Sequence, residues 1–296
     1  MTSEKGGSMA KRVNTMTVLR SERISPHFVR LYLGGEGFED FQPAVGKSGE
    51  PDTDMYVKFI FAPPGVSYPE PFDLQEVRAN EPPERQPVLR TYTVRRVDAA
   101  ARELVVDFVV HGSEGIAGPW AAAVGSGETI RFVGPGSGYR PRADAPWHLL
   151  ACDEAGLPAV AAALEALPAD AVAKVFIEVA GPEDELDLDA PAGAEITWVH
   201  RGGPAGEVDD SLAGDNAPLI EAVRATEWLD GEPHVFIHGE AQAVMHNLRA
   251  YVRKERGVGA ANASISGYWR RGRTEEGFRQ WKADLRAEEE GVGAQG

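Results

Sequence analysis

The sequence predicts two domains: an N-terminal six-stranded antiparallel β-barrel, followed by a C-terminal α/β domain with a parallel sheet and a final helix. The chain has 296 residues, more than the roughly 250 that a single core usually organises. As far as about residue 133, its apolar residues form short runs rich in β-branched and aromatic side chains. After residue 147, short apolar strands alternate with helical patterns. The predicted domains are 11–140 and 147–290.

Six strands are predicted in the N-terminal half, with almost no helix between them. They often alternate with polar residues and span 13–21, 28–33, 54–61, 89–96, 104–111 and 129–133. One short helix is predicted at 117–124. The connection 62–87 contains seven prolines, so we expect a long, mobile surface loop there. Short strands in this arrangement are typical of a small closed or nearly closed barrel.

The C-terminal half alternates strands with helices. The strands are predicted at 147–152, 172–179, 196–199 and 235–238, and the helices at 158–167, 217–229, 241–255 and 274–286. Gly257 stands where a helix C-cap is expected. Parallel strands need long crossover connections, which helices of this length supply, so the pattern predicts βαβ units. The segment 134–146, rich in Pro, Gly and Arg, marks the domain boundary.

Composition narrows the class of protein. The chain carries 46 acidic and 30 basic residues, a net charge of −16, which argues against nucleic acid or an anionic membrane as partner. The single cysteine, Cys152, excludes an internal disulfide and a cysteine-rich metal site. The histidines lack metal-ligand spacing, so no protein metal site is expected. No apolar run is long enough to span a bilayer and the N-terminus lacks a signal-peptide core, which predicts a cytoplasmic protein.

The first candidate site is a run of four residues on the fourth strand: Arg90, Thr91, Tyr92 and Thr93. Alternation places Arg90 and Tyr92 on one face of the strand and the two threonines on the other. A flavin site needs a flat aromatic ring, a hydroxyl or amide near N5 and a cation for the pyrophosphate. Taken alone, the run is better explained as an ordinary barrel strand with one exposed arginine.

The second candidate follows the next strand, where two glycines lead into the short helix. Backbone amides at a helix start bind a diphosphate without charged side chains. His111, at the strand end, has two readings: a flavin contact or a hydrogen-bonded surface histidine. The candidate cofactor residues here are Asp107, Val109, His111, Gly115, Ala117, Gly118, Trp120 and Ala121.

In this order, the two candidates resemble the pattern of the ferredoxin–NADP reductase superfamily. The stretch 149–159, with Asp153 and Glu154 followed by Leu-Pro-Ala, resembles a block of the siderophore-interacting protein family. The segments 198–201, 238–240 with Arg249, and 266–272 follow that family's remaining blocks in order. The similarity runs from about residue 11 to residue 281. Two departures are Ala155, where the family usually has Thr, and Gly-Ile-Ala-Gly at 115–118, where it commonly has Gly-Pro-Ala-Ser.

The resemblance implies an NAD(P)H-dependent flavoprotein that reduces ferric siderophores. FAD would bind the barrel, NADPH or NADH would donate the electrons, and no catalytic acid or base is required. Residues expected on the nicotinamide or substrate side are Asp153, Glu154, Arg201, Gly239, Glu240, Arg249, Trp269, Arg270 and Arg271. A solvated charged turn is the other reading of the two adjacent arginines.

The acidic surface would steer an anionic catecholate complex poorly, which favours a ferric hydroxamate as substrate. Ferredoxin remains an alternative electron donor, and a monomer is expected. Two other functions stay open: a general flavin or ferredoxin-type reductase, and a siderophore-binding module without catalysis.

Overall fold

The computed structural model describes residues 12–112, 115–275, 277–278 and 280–281, and it has the predicted two-domain architecture. A closed antiparallel barrel of six strands precedes a five-stranded parallel sheet with helices. Among the residues so described, no helix is long and apolar enough to cross a membrane.

All six barrel strands are present. They are β1 Val13–Ser25, β2 Phe28–Gly34, β3 Tyr56–Phe61, β4 Val88–Asp98, β5 Glu103–Val109 and β6 Thr129–Gly136. Each pairs antiparallel with its neighbours in the order β1-β2-β5-β4-β3-β6, and pairing of β1 with β6 closes the barrel. Inward-facing side chains such as Phe59, Phe108 and Phe132 fill the interior, which explains the alternation in the sequence.

The proline-rich connection, predicted as a long, mobile surface loop, contains helical elements. It contains helix α1, Leu74–Asn80, and a 3-10 turn at Pro83–Arg85. The Asp73 carboxylate caps α1 by accepting hydrogen bonds from the backbone amides of Gln75 and Glu76, at 2.7 and 2.9 Å. An aspartate at a helix N-cap satisfies amides that lack partners in the first turn. This signal was overlooked beside the prolines.

The C-terminal domain is a parallel sheet in the order β11-β10-β7-β8-β9. Its strands are β7 His148–Cys152, β8 Val172–Val179, β9 Gly193–His200, β10 His234–Glu240 and β11 Ala263–Trp269. Helices are α3 Leu157–Ala166 and α4 Pro218–Ala225, after α2 Ala117–Ala123 in the first domain. The predicted helix 241–255 is present, with π-helical turns at Gln242–Leu248 and Tyr251–Glu255.

Two features of this domain differ from the prediction, and a third is only partly described. Strand β11 was not predicted, and α4 ends at Ala225 rather than at 229 because Thr226 adopts an extended conformation. The last helix is described only in part: 275, 277–278 and 280–281 are helical, and 282–286 lie outside the described residues.

The two domains share a packed interface. Phe28 of the barrel is fully buried in the core formed by α3 and the sheet, and Val109 packs against the same core. The Asp184 carboxylate of the second domain accepts hydrogen bonds from the Ser25 hydroxyl at 2.6 Å and from the His27 backbone amide at 3.0 Å. The domains are therefore joined by apolar and polar contacts.

Candidate functional site

The carboxyl ends of the parallel strands face the fourth barrel strand. The link is made by Tyr268 of β11, whose phenol lies next to the side chain of Thr93 on β4. The Tyr268 ring also meets His238 of β10 edge-on, with 4.7 Å between centroids. Because open α/β sheets bind ligands at the carboxyl ends of their strands, this junction is the candidate functional site.

The run on β4 borders an open strand edge. β3 pairs with residues 88–93 of β4, whereas β5 pairs with β4 only from Val94 onward. On that edge the Thr91 backbone amide and hydroxyl donate to the Glu275 carboxylate, at 3.2 and 2.9 Å. The strand therefore presents hydrogen-bond donors to a carboxylate, or to any group with similarly placed acceptor oxygens.

The other residues of the run have distinct environments. The Tyr92 ring lies 4.2 Å from the Phe108 ring, at the edge of the barrel core. Burial raises the pKa of Tyr92, so its phenol stays neutral. Thr93 is buried, and a guanidinium nitrogen of Arg90 donates to its neighbour's carbonyl oxygen on Leu89 at 2.9 Å.

Several predicted cofactor residues make contacts within the protein. The Asp107 carboxylate forms a bidentate ion pair with Arg30, at 2.6 and 2.8 Å. Ala117 and Ala121 of α2 face the barrel core, and Trp120 packs edge-on against Phe61 with 5.4 Å between ring centroids. These contacts fix α2 against the end of the barrel.

The start of α2 is shaped by glycines. Gly115 has a φ of +80°, in the left-handed region that side chains disfavour. A Cβ added at Gly118 would lie 3.1 Å from the Val109 carbonyl oxygen, so glycine allows the helix to approach β5. None of the side chains that the structure describes caps the helix at Ile116.

His111 lies at the domain interface. Its ring is 6.0 Å from the His27 ring, and among the described residues no group hydrogen-bonds its buried Nδ1 atom. Burial lowers the pKa of His111, although the nearby Glu154 carboxylate acts in the opposite direction. Within the described structure, His111 is a neutral, partly buried histidine with one unused ring nitrogen.

Arg201 is held between two carboxylates at the strand ends. Its guanidinium donates to Glu178 Oε1 at 2.7 Å and forms a short ion pair with Glu154, and all three side chains are almost fully buried. Glu178 also accepts the Leu219 backbone amide at 2.8 Å, and Arg201 Nε donates to the Gly203 carbonyl oxygen at 3.2 Å. Arg201, which is predicted on the nicotinamide or substrate side, thus forms a buried ionic triad with Glu154 and Glu178.

Asp153 connects three strand ends. At 3% exposure, its Oδ2 accepts the Glu240 backbone amide at 2.8 Å and the Trp269 indole N–H at 2.7 Å. Its Oδ1 accepts the Ala155 backbone amide at 2.9 Å. Burial, together with the neighbouring Glu154, raises the pKa of Asp153 to about 7. A Cβ at Gly239 would come within 2.8 Å of the Asp153 carboxyl group.

Glu240 organises the remaining residues of the substrate side. Its Oε2 accepts the backbone amides of Gln242 and Ala243, at 2.7 and 3.0 Å, and so caps the following helix. Its Oε1 accepts the Arg271 backbone amide at 3.3 Å and lies 3.6 Å from Arg270 Nη1. Arg249 lies half-buried within the helical segment that follows β10.

The two adjacent arginines are held by different groups. The Arg270 guanidinium lies 5.0 Å from the centre of the Trp281 ring. Arg271 donates to the Val208 carbonyl oxygen at 2.5 Å and approaches Asp210 at 3.5 Å. Sequence reasoning missed two members of this region, Tyr268 and Glu275. Tyr268 would have been found if β11 had been recognised as a strand.

Comparison with known proteins is consistent with this geometry. The model of the siderophore-interacting FAD-binding domain matches residues 17–139, and that of siderophore-interacting protein matches residues 145–272. The chain belongs to the siderophore-interacting protein family. A solved structure of a siderophore utilization protein from T. fusca is 35% identical, with a TM-score of 0.72 over 90% of this chain and 95% of that chain. The predicted resemblance is confirmed.

Curated relatives cover most of the chain. An uncharacterised protein of Mycobacterium tuberculosis is 54% identical over 95% of this chain and 98% of its own length. The ferric vibriobactin reductase ViuB of Vibrio cholerae is 29% identical over 88% of this chain and 91% of its own length. The NADPH-dependent ferric-chelate reductase of Escherichia coli is 30% identical over 76% and 84%.

The fold extends beyond the family. The ferredoxin reductase of carbazole 1,9a-dioxygenase is 16% identical, with a TM-score of 0.60 over 87% of this chain and 70% of that chain. The chain therefore shares its two-domain fold with this ferredoxin reductase, in agreement with the fold that the sequence predicts.

Proposed function

We propose that this protein is an FAD-dependent reductase that takes electrons from NADPH or NADH and passes them to Fe(III) in a siderophore, releasing Fe(II). The observation that carries the proposal is the approach of Tyr268 to Thr93, beside which Thr91 donates two hydrogen bonds to Glu275. These contacts join the second domain to the barrel strand β4, which bears the run at 90–93, in a chain of this family. In the proposed division, residues 11–140 bind FAD and residues 147–290 meet the nicotinamide.

The residues around β4 fit FAD. The Thr91 amide and hydroxyl, now used by Glu275, are donors of the kind that flavin carbonyl groups accept. Tyr92 offers an aromatic surface at the barrel edge, and Arg90 offers a cation for the pyrophosphate. At the α2 start, where none of the described side chains caps the helix, backbone amides add further donors. Nδ1 of His111, the residue that follows Val110 in the chain, has no hydrogen-bond partner among the described residues.

The chemistry needs no acid or base from the protein. Bound FAD supplies an acceptor for two electrons that can be released one at a time. The chain's own residues bind and orient: the barrel run and α2 hold the flavin, and Arg270 and Arg271 offer positive charge to the substrate's oxygen ligands. Reduction of Fe(III) weakens its bonds to hard oxygen donors, so the ligand is released intact.

The names of two relatives support a ferric chelate as the class of substrate. The Vibrio cholerae relative is named as a ferric vibriobactin reductase and the Escherichia coli relative as an NADPH-dependent ferric-chelate reductase. For this chain we propose a ferric hydroxamate as substrate, because its net charge of −16 disfavours approach of an anionic catecholate. We further propose that it acts as a cytoplasmic monomer, with ferredoxin as the alternative electron donor.

The test is a spectroscopic cycle on the purified protein. NADPH or NADH is added anaerobically, followed by a ferric hydroxamate and a ferrous-iron trap. Flavin absorbance that bleaches with the nicotinamide and returns as Fe(II) appears supports the proposal. A flavin that reacts only after dithionite reduction indicates a protein donor. A colourless protein that does not take up FAD refutes the proposal and favours a binding module.

A matched pair of variants tests the flavin site. Arg90→Ala should weaken FAD binding by roughly tenfold or more, since one charge-assisted contact to the pyrophosphate is lost. Arg96→Ala, on the same strand but exposed to solvent, serves as the control and should bind FAD like the wild-type protein. Equal FAD affinity in the two variants would contradict the assignment of Arg90.

A further inference from the structure

Asp153 is the only side chain in the described part of the site that hydrogen-bonds β10, β11 and the turn after its own strand, β7. Through one oxygen it binds the Glu240 amide and the Trp269 indole, and through the other it binds the Ala155 amide. All three contacts lie between 2.7 and 2.9 Å. The three strands end at the edge of the sheet that faces β4, so this carboxylate is placed to fix their relative positions.

A β-bulge directs the end of β11 toward Asp153. β10 and β11 pair in register as far as Gly239 and Gly267, after which Glu240 pairs with Trp269 and Tyr268 is the extra residue. A bulge re-aims the side chains beside it. Tyr268 therefore reaches Thr93 of the barrel, whereas Trp269 reaches Asp153.

Trp269 and the two arginines that follow it depend on the same carboxylate. We call these three residues, Trp269, Arg270 and Arg271, the arginine arm. Glu240, whose amide Asp153 accepts, contacts the arm at the Arg271 amide and at Arg270 Nη1. Asp153 thus holds the arm directly through the indole and indirectly through Glu240.

The charge on Asp153 is sensitive to pH near neutrality. Burial and the Glu154 carboxylate raise its pKa to about 7; Glu178 acts in the same direction, whereas the Trp269 bond and Arg201 oppose it. Both carboxylate oxygens accept N–H groups. Protonation of either oxygen therefore turns one acceptor into a donor that faces an N–H group, and it weakens the bonds that hold the arm.

We propose that Asp153 is a positioning residue that fixes the arginine arm for the ferric substrate, and that its protonation releases the arm. This inference rests on the proposed function, because it assigns the arm to substrate binding. Asp153 touches no substrate itself. It acts through Trp269 and Glu240.

The kinetic test isolates the step in which the substrate is used. The flavin is reduced with dithionite, and its reoxidation by iron(III) tris(acetohydroxamate) is followed from about pH 5.5 to 8.5. In the wild-type protein the half-saturating chelate concentration should rise about tenfold below neutrality, the effect of losing one charge-assisted hydrogen bond. In Asp153→Asn it should stay high at every pH, while the maximal rate changes less.

Two further variants separate positioning from general damage. Trp269→Phe removes the N–H donor that favours the charged carboxylate, so the pH midpoint should move upward. Asp184→Asn removes another buried carboxylate, whose hydrogen-bond partners are Ser25 and His27 and not residues of the arm. Its pH midpoint should equal that of the wild-type protein. If Asp153→Asn fails to fold, the Trp269→Phe midpoint still decides the question.

An optical readout is independent of turnover. The pH titration of tryptophan fluorescence, taken as the difference between wild type and Trp269→Phe, should show a step near neutrality that Asp153→Asn lacks. The absence of this step, or an unchanged pH midpoint in Asp153→Asn, overturns the proposal. If the reduced flavin reduces the chelate but the half-saturating chelate concentration does not depend on pH, the proposal for Asp153 is overturned while the proposed function stands. A reduced flavin that fails to react with the chelate at any pH overturns the proposed function as well.

Discussion

Removing Arg201 should destabilise the protein strongly, because it would leave two carboxylates buried without a cation. Arg201 is 3% exposed, and its guanidinium contacts both Glu154 and Glu178. Breaking a buried ion pair from one side typically costs about 3–5 kcal/mol of unfolding free energy. The Arg201→Met variant retains similar volume, so we expect a loss within this range, about 3–5 kcal/mol, near pH 8.

The loss should shrink as the pH falls. Burial raises the pKa of Glu178 and the Arg201 guanidinium opposes this rise, so the pKa of Glu178 in the folded variant should lie further above its unfolded value. The folded variant then binds more protons than the unfolded chain, so its unfolding free energy rises relative to wild type as the pH is lowered from about 8 toward 5. The opposite trend, or a constant difference, would show that the carboxylates remain charged in the folded variant.

Denaturant unfolding of the purified variants, followed by circular dichroism at several pH values, measures this difference. The matched control is Arg224→Met, which removes a bidentate arginine from Glu255 on the solvent-exposed surface. Exposed pairs contribute little, so this variant should unfold almost like the wild-type protein at every pH. An Arg201→Met variant within about 1 kcal/mol of wild type near pH 8 would refute the reasoning about the buried triad.

Three further outcomes follow from the interface and the core. Phe28→Ala should lower the unfolding free energy by about 3–5 kcal/mol, because Phe28 is fully buried in the second domain's core; a loss below 1 kcal/mol by denaturant unfolding would contradict this placement. Burial raises the pKa of Asp184, but hydrogen bonds from Ser25 and His27 outweigh it and leave the pKa lowered. The stability gained from Asp184 is then present above its unfolded pKa and lost as the pH falls through the folded one, so acid titration should show that Asp184→Asn is less stable than wild type near neutrality and that the difference vanishes in strong acid. The buried Cys152 thiol, whose pKa burial raises, should react with a charged thiol reagent only after unfolding; rapid labelling of the native protein would be the contrary result.

The barrel was predictable because its strands carry a period of two. The ends of the strands were less so. β1 continues to Ser25 through exposed residues 20–23, and this extension is set by pairing with β2, not by any apolar pattern of its own. β11 was not predicted because its apolar pattern is interrupted by Ser264, Ser266 and Gly267. An edge strand beside β10 tolerates such residues.

The site was predictable as a set of segments but not as a set of contacts. The run at 90–93 and the acidic pair Asp153 and Glu154 were both recognised from sequence. Glu154 and Glu178 enclose Arg201 because β7, β8 and β9 lie side by side in the sheet. This spatial order cannot be read from the linear sequence. A lone arginine after a strand resembles a phosphate ligand until its neighbours in the sheet are known.

The sharing of Phe28 between domains bears on how the chain matures on the ribosome. The barrel closes only when β6 has been made, since β1 pairs with it. Phe28 lies in a cluster whose members extend to Phe236, so a nascent chain that ends soon after β6 exposes an aromatic side chain with nothing to cover it. Domains usually fold as units while they are synthesised. Here the first domain completes its burial only when the second has emerged, which makes the two halves a single unit for synthesis and quality control.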